Sequence, residues 1–157
     1  MPVALPEDLV EFLESGVSII IATRDARLRP EVLRGLGAQV APDRRSVDVF
    51  VNAELSQRLL SDIADNARIA VAFSRIHDHR TVQLKGVVLD VSDVSREQSV
   101  ELERYRVAFA EQVAMAGLPR SVTRRMRIEP AKALRVQFDQ GFNQTPGPGA
   151  GGPMEQP

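Results

Sequence analysis

The sequence predicts an α+β protein built on a six-stranded antiparallel β-barrel, with a short helix between strands and a long helix in the C-terminal half. Three observations lead there. Short apolar runs rich in β-branched residues recur along the chain, joined mostly by turn residues rather than by helices, as in hairpin-connected antiparallel strands. One helical stripe, Leu55, Leu59, Leu60 and Ile63, interrupts them. A capping-box pattern, Ser95-Arg96-Glu97-Gln98, opens a long helix late in the chain. A doubly wound sheet would need strand and helix in regular alternation, which this chain lacks.

The elements follow in order. Pro6 ahead of Glu7 and Asp8 suits a helix start, and Leu9, Phe12 and Leu13 form one apolar stripe before Ser15-Gly16 ends it. Val17–Thr23 is β-branched with little alternation, which predicts a strand covered on both faces. Glu31–Val40 reads as one strand, with Val32, Arg34, Leu36, Ala38 and Val40 on one face and Leu33, Gly35, Gly37 and Gln39 on the other. Its two glycines leave a bare patch, which lets the strand coil sharply or lets a ligand or another backbone come close.

Val47–Val51 is the next strand, followed by a helix to about Ala64 for which Asn52 and Ser56 are both credible N-caps. Ile69–Phe73 and Arg80–Val91 are strands, and Gly86 in the second marks a bulge or bend. The long helix spans Arg96–Ala116 and closes at Gly117 and Pro119. Ser121 caps a short helix carrying Arg124, Arg125 and Arg127, and Ala133–Phe138 is the last strand. We therefore expect one domain over residues 1–142 and a Gly/Pro-rich tail over 143–157, which has too few large apolar side chains for a core of its own.

Composition narrows the chemistry. A chain of 157 residues can bury a core without staples, and the absence of cysteine removes disulfides, thiolate metal sites and a cysteine nucleophile. A formal charge of −1 gives no global attraction to nucleic acid or an acidic membrane. The start, Met1-Pro2-Val3-Ala4-Leu5-Pro6-Glu7-Asp8, lacks a basic region followed by an apolar run, and Val17–Thr23 is too short to span a bilayer. A cytoplasmic protein is expected, with neither membrane nor nucleic acid as partner. His77-Asp78-His79 reads as an exposed turn without a third ligand cluster, so no metal is assigned, and neither a Gly-x-Ser-x-Gly elbow nor a Gly-x-Gly-x-x-Gly loop is present.

Anion-binding groups concentrate between Val47 and Gly86. Ser56 offers a hydroxyl, the first turn of its helix offers free backbone N–H groups, and Arg58 adds a fixed positive charge. On the strand beginning at Arg80, the polar set Thr81, Gln83 and Lys85 faces away from Val82 and Leu84 and has the donors and acceptors to meet a heterocycle.

The order Phe50-Val51-Asn52-x-x-x-Ser56-x-Arg58, then Asp65-Asn66-Ala67-Arg68 before an apolar strand, then Arg80-x-Val82-x-x-x-Gly86, resembles the pyridoxamine 5′-phosphate oxidase-like, FMN-binding split-barrel proteins. Gln144-Thr145-Pro146-Gly147-Pro148-Gly149-Ala150-Gly151 is similar to tails of small bacterial members. The resemblance implies a split barrel and a homodimer with FMN at the subunit interface. It places Arg34, Gly35, Leu36, Val51, Asn52, Ser56, Arg58, Thr81 and Gln83 about that cofactor, with Ser56 and Arg58 on its phosphate and Gly35 and Gly37 letting it approach the strand.

The chain departs from the family pattern at several places, among them the second strand, where the family often has an arginine near Leu33 and this chain has Arg34, on the opposite face unless a bulge intervenes. Arg58 stands for the usual lysine, Gln57 for an arginine and Thr81 for the oxidase's glutamine. The oxidase's substrate-binding arginine and histidine have no counterpart in Gln140–Pro157, so oxidation of pyridoxamine phosphate is not the expected activity.

The resulting expectation is a flavin-dependent oxidoreductase that moves electrons from a reduced donor such as NAD(P)H to a small-molecule acceptor. No catalytic acid or base stands out, in keeping with a flavin carrying the chemistry. The alternative is a non-catalytic module binding a flavin, a deazaflavin or haem on the same barrel.

Overall fold

The computed structural model describes residues 4–155, so the expectations for Met1–Val3 and for Gln156–Pro157 lie outside the described residues. The elements run α1 (Glu7–Glu14), β1 (Ser18–Arg24), β2 (Pro30–Arg34), β3 (Gly37–Val40), β4 (Val47–Asn52), α2 (Gln57–Asn66), β5 (Arg68–Ser74), β6 (Thr81–Asp93), α3 (Arg96–Met115), α4 (Arg120–Arg124) and β7 (Ala131–Asn143). The strands form one antiparallel sheet in the order β2-β1-β5-β6-β7-β4-β3.

The sheet therefore has seven strands rather than six, and it is not closed. The extra strand arises where the single strand expected over Glu31–Val40 breaks. Its first half pairs with β1 and its second half with β4, at opposite edges of the sheet. The transfer occurs in one step, because the Gly35 N–H donates to the Ile19 carbonyl while the next N–H, Leu36, donates to Phe50. Phase slips there as well. Val32 and Arg34 are exposed and Leu33 packs inward on β2, whereas Ala38 and Val40 point into the core on β3. Glycine is needed at the crossing, since a Cβ on Gly35 would lie 2.6 Å from Ile19 Cγ2.

The inward-facing branched and aromatic residues of the sheet build the main core. Ile19, Ile21, Val47, Val49, Val51, Val71, Phe73, Leu84, Leu134 and Val136 are all essentially inaccessible and face one another. Each such side chain contributes about 1.5–3 kcal/mol on burial. The end of the barrel is capped by α1 through Leu9, Phe12 and Leu13. β1 alternates more than its composition predicted: Ile19 and Ile21 face the core, while Ile20 is 36% exposed on the outer face.

A second, smaller core forms outside the barrel, where Leu102 of α3 packs on Phe50, Ala131 and Ala133. This explains why β4 is buried along both faces. The start of α3 carries the full capping box: the Ser95 hydroxyl accepts from the Gln98 N–H, and the Gln98 amide oxygen accepts from the Ser95 N–H. Pro119, not Ser121, flanks the start of α4 and provides no side-chain cap.

β6 and β7 run longer than the sequence predicted, reaching Asp93 and Asn143. Their ladder slips at Lys85/Gly86, the bulge expected at Gly86, where a Cβ would fall 2.0 Å from the Gln137 carbonyl oxygen. Beyond β7 the Gly/Pro-rich segment is tied back to the sheet: the Gln144 N–H donates to Thr81, the Met154 N–H to Gly141, and Pro153 bridges to Phe142.

Candidate functional site

The head of α2 carries a specific set of unused donors. Ser56 flanks the helix and is 1% exposed, yet its side chain makes no capping bond. Among the described residues its Oγ is the buried side-chain polar atom left without a partner. Asn52 caps the turn that precedes the helix, its Oδ1 accepting the N–H groups of Glu54 and Leu55 at 3.0 Å each, while Ser56 holds the N-cap position of α2 itself. The N–H groups of Gln57, Arg58 and Leu59 have no acceptor among the described residues, as the first turn of a helix leaves them. Arg58 lies on the exposed side of that turn, paired with Glu31 at 3.3 Å.

Hydroxyl, amide and guanidinium groups thus converge in sequence on one helix start, whose dipole also favours an anion. They fit a phosphate group: a buried hydroxyl with no partner costs stability unless something uses it. Asn52 has no such spare capacity. It is 2% exposed, and its amide nitrogen is directed to the carbonyls of Arg127 and Glu129. Val51 points into the barrel core, and its backbone pairs with Lys132 of β7.

Arg34, Gly35 and Leu36 come together at the β2/β3 break, beneath α3. A gap of about 10 Å³ remains there between them and Tyr105, Phe109 and Met126, room for no more than a water molecule. Arg34 donates to Ser18 Oγ at 3.0 Å, with its guanidinium 5.8 Å from the centre of the Phe109 ring. The bare faces of the glycines are filled from within the chain, Gly35 by Ile19 and Gly37 by Leu102 and Tyr105.

The outer face of the sheet is best described by its cross-strand rows. Ser18, Ser74 and Thr81 form one row, and Arg34, Ile20, Ala72, Gln83 and Phe142 the next. Val32, Ala22, Ala70, Lys85 and Gln140 form the third. Thr81 and Gln83 therefore share a face, as alternation predicted, and both are engaged. Thr81 Oγ1 donates within reach of Ser74 Oγ and the His79 carbonyl, and the Thr81 N–H donates to Thr145 Oγ1. Gln144 of the returning tail donates to Gln83 Oε1 at 3.4 Å.

Alanines at 22, 70 and 72 leave the middle of this face low. Where it meets the ends of β1 and β5, a cleft of about 360 Å³ opens, lined by Ala22, Thr23, Arg24, Arg68, Ala70, Lys85 and Asp139 among others. Sequence reading missed it. The signal was present as Ala22 and Arg24, Arg68 and Ala70, and Lys85, spaced two apart within β1 and β5, but only the register places them side by side.

The two histidines are exposed on the β5–β6 turn, where hydrogen bonds from Arg75 hold the Asp78 carboxyl well below the usual carboxylate range. Among the described residues no helix is long and apolar enough to cross a membrane.

No family model matches the chain, and no curated protein matches it in sequence. Solved structures do. An F420 reductase superposes with a TM-score of 0.60 at 14% identity, over 87% of this chain and 98% of that one. HupZ of Group A Streptococcus gives 0.56 at 18% identity, over 94% and 100%. A candidate pyridoxamine 5′-phosphate oxidase from Lactobacillus delbrueckii gives 0.55 at 14% identity, over 88% and 93%. At these identities the likeness speaks for architecture, and the architecture of this chain is the pyridoxamine 5′-phosphate oxidase-like split-barrel fold.

Proposed function

We propose that this protein binds FMN and acts as a flavin-dependent oxidoreductase, taking electrons from a reduced donor such as NAD(P)H and passing them to a small-molecule acceptor. The observation that carries the reading is the Ser56 hydroxyl, buried without a partner beside the free N–H groups of Gln57, Arg58 and Leu59. Those groups and the Arg58 guanidinium would hold the cofactor phosphate, through charge-assisted hydrogen bonds. Among the similar structures, an F420 reductase and a candidate pyridoxamine phosphate oxidase are named for redox chemistry, which supports the same direction.

When bound, the flavin supplies the electron-transfer chemistry. The chain's own residues bind and orient it. Glu31 pairs with the Arg58 guanidinium at 3.3 Å, and a bound phosphate would compete with it. Thr81 and Gln83 share the outer face, and a flavin there would exchange their bonds to Ser74 and Gln144 for its own. A second copy of the chain completing the site, in a cytoplasmic homodimer, belongs to the same proposal.

The test is optical. Purified protein supplied with FMN should show bound-flavin absorbance that is bleached by reduced nicotinamide and restored by an electron acceptor. Stable bound absorbance with no bleaching by any nicotinamide would assign a binding module instead, and failure to bind FMN would refute the reading.

A further inference from the structure

The cleft at the ends of β1 and β5, beside the Lys85/Gly86 bulge of β6, has a charge pattern that the flavin reading does not use. Its floor is Ala22 and Ala70, directly opposed across the β1–β5 ladder, and Lys85 stands opposite Ala70 on β6. Arg24 and Arg68 rise from the same face, two residues beyond each alanine. Three cations from three adjacent strands therefore surround a recess of about 360 Å³.

One carboxylate answers them. Asp139 lies 3.7 Å from Arg68, beyond the distance of a close hydrogen bond, with both side chains more than half exposed. The recess thus carries an excess of two positive charges in a chain whose formal charge is −1. Lys85 is additionally steadied by Phe142, whose ring centre is 4.9 Å from Nζ. Small side chains beneath and long cationic ones around make a pocket in which an anion can sit below the tips of the cations rather than among them.

We propose that this cleft is a second ligand site, distinct from the head of α2, and that it takes a small dianion, either a phosphate monoester or a dicarboxylate. Two charges on the ligand match the excess of the recess. Guanidinium groups at two corners suit the paired oxygens of either ligand, and the lysine acts as a point charge between them. A flat apolar body on the ligand would lie on the alanine floor.

Backbone-amide NMR of the full chain at pH 8 tests this with inorganic phosphate, succinate and, as a monoanion control, acetate. Phosphate or succinate should move the amide signals of Ala22, Ala70 and Lys85 saturably, and acetate should need roughly tenfold higher concentration, one charged contact being lost. The tighter of the two dianions identifies the source. Arg68→Gln and Lys85→Gln should each weaken binding roughly tenfold or more, while Arg124→Gln on α4 should not. Ala70→Leu, which keeps every charge but fills the floor, should abolish binding. The amide spectrum shows directly that each variant is folded, and Arg24→Gln replaces any that is not.

Equal affinity for acetate, shifts confined to Gln57–Leu59, or unchanged binding by the folded glutamine variants would overturn the proposal. Its failure leaves the flavin reading standing, because that reading is tested at Ser56 and Arg58.

Discussion

The Thr23 hydroxyl donates to Asp62 Oδ2 at 2.8 Å, joining β1 to α2 where both residues are 5% exposed. This bond orients the helix whose start offers the anion-binding groups, because Asp62 lies one turn beyond Arg58. Thr23→Val keeps the shape but leaves a buried carboxylate without its donor, and should cost about 1–3 kcal/mol in chemical denaturation. Thr23→Ser retains the donor and should cost less than Thr23→Val.

Asp48 organises the other side of the barrel. Its carboxylate, 9% exposed on β4, accepts from Arg135 Nε at 2.9 Å and from Gln98 Nε2 at 3.0 Å. Gln98 is also the third residue of α3 and closes its capping box, so one side chain ties a helix start to the sheet. Gln98→Ala should lose roughly 1–2 kcal/mol of stability, whereas Glu97→Ala, exposed next to it, should stay within about 0.5 kcal/mol.

Tyr105 gives a pH test with its own optical signal, since it is the single tyrosine in the chain and tryptophan is absent. Its hydroxyl donates to the Val17 carbonyl at 2.7 Å, and burial, with a contribution from the Glu14 carboxylate, pushes the phenol far above its ordinary value. The unfolded chain releases this proton near pH ~10 while the folded chain holds it. Stability from this group is therefore complete below that pH and declines above it. Alkaline titration followed by phenolate absorbance should show ionisation only together with unfolding, and Tyr105→Phe should remove that coupling.

Arg58 and Glu31 make an ion pair at 3.3 Å with both side chains part-exposed, worth at most about 1 kcal/mol. A phosphate on Arg58 must share or displace that carboxylate. Glu31→Gln should therefore tighten FMN binding by up to about fivefold, measured by quenching of flavin fluorescence, with little change in thermal stability.

What the sequence disclosed follows the reach of each interaction. The α3 capping box spans four residues and was readable, as were the inward and outward sets of β6 and the Gly86 bulge. The break at Gly35–Leu36 was visible only as bare strand. Its transfer between sheet edges depends on Ile19 and Phe50 as partners. Asn52 and Ser56 were equal candidates for a cap. Ser56 takes the N-cap position of α2, and what holds Asn52 on the preceding turn is the tether of its amide to the carbonyls of Arg127 and Glu129, contacts 75 and 77 residues away. The row Ala22, Ala70, Lys85 and Gln140 likewise exists only once the register is known.

The central claim rests on Ser56, and the substitution Ser56→Ala separates a functional hydroxyl from a structural one. Removing a buried hydroxyl that has no partner should leave the protein as stable or raise its unfolding free energy by about 1 kcal/mol. The same change should weaken FMN binding by roughly 0.5–1.5 kcal/mol, and Arg58→Ala by roughly 1.5–3 kcal/mol. An FMN titration of wild type and both variants, read by flavin fluorescence, decides it: affinity that falls while stability holds supports the account, and affinity unchanged in both variants contradicts it.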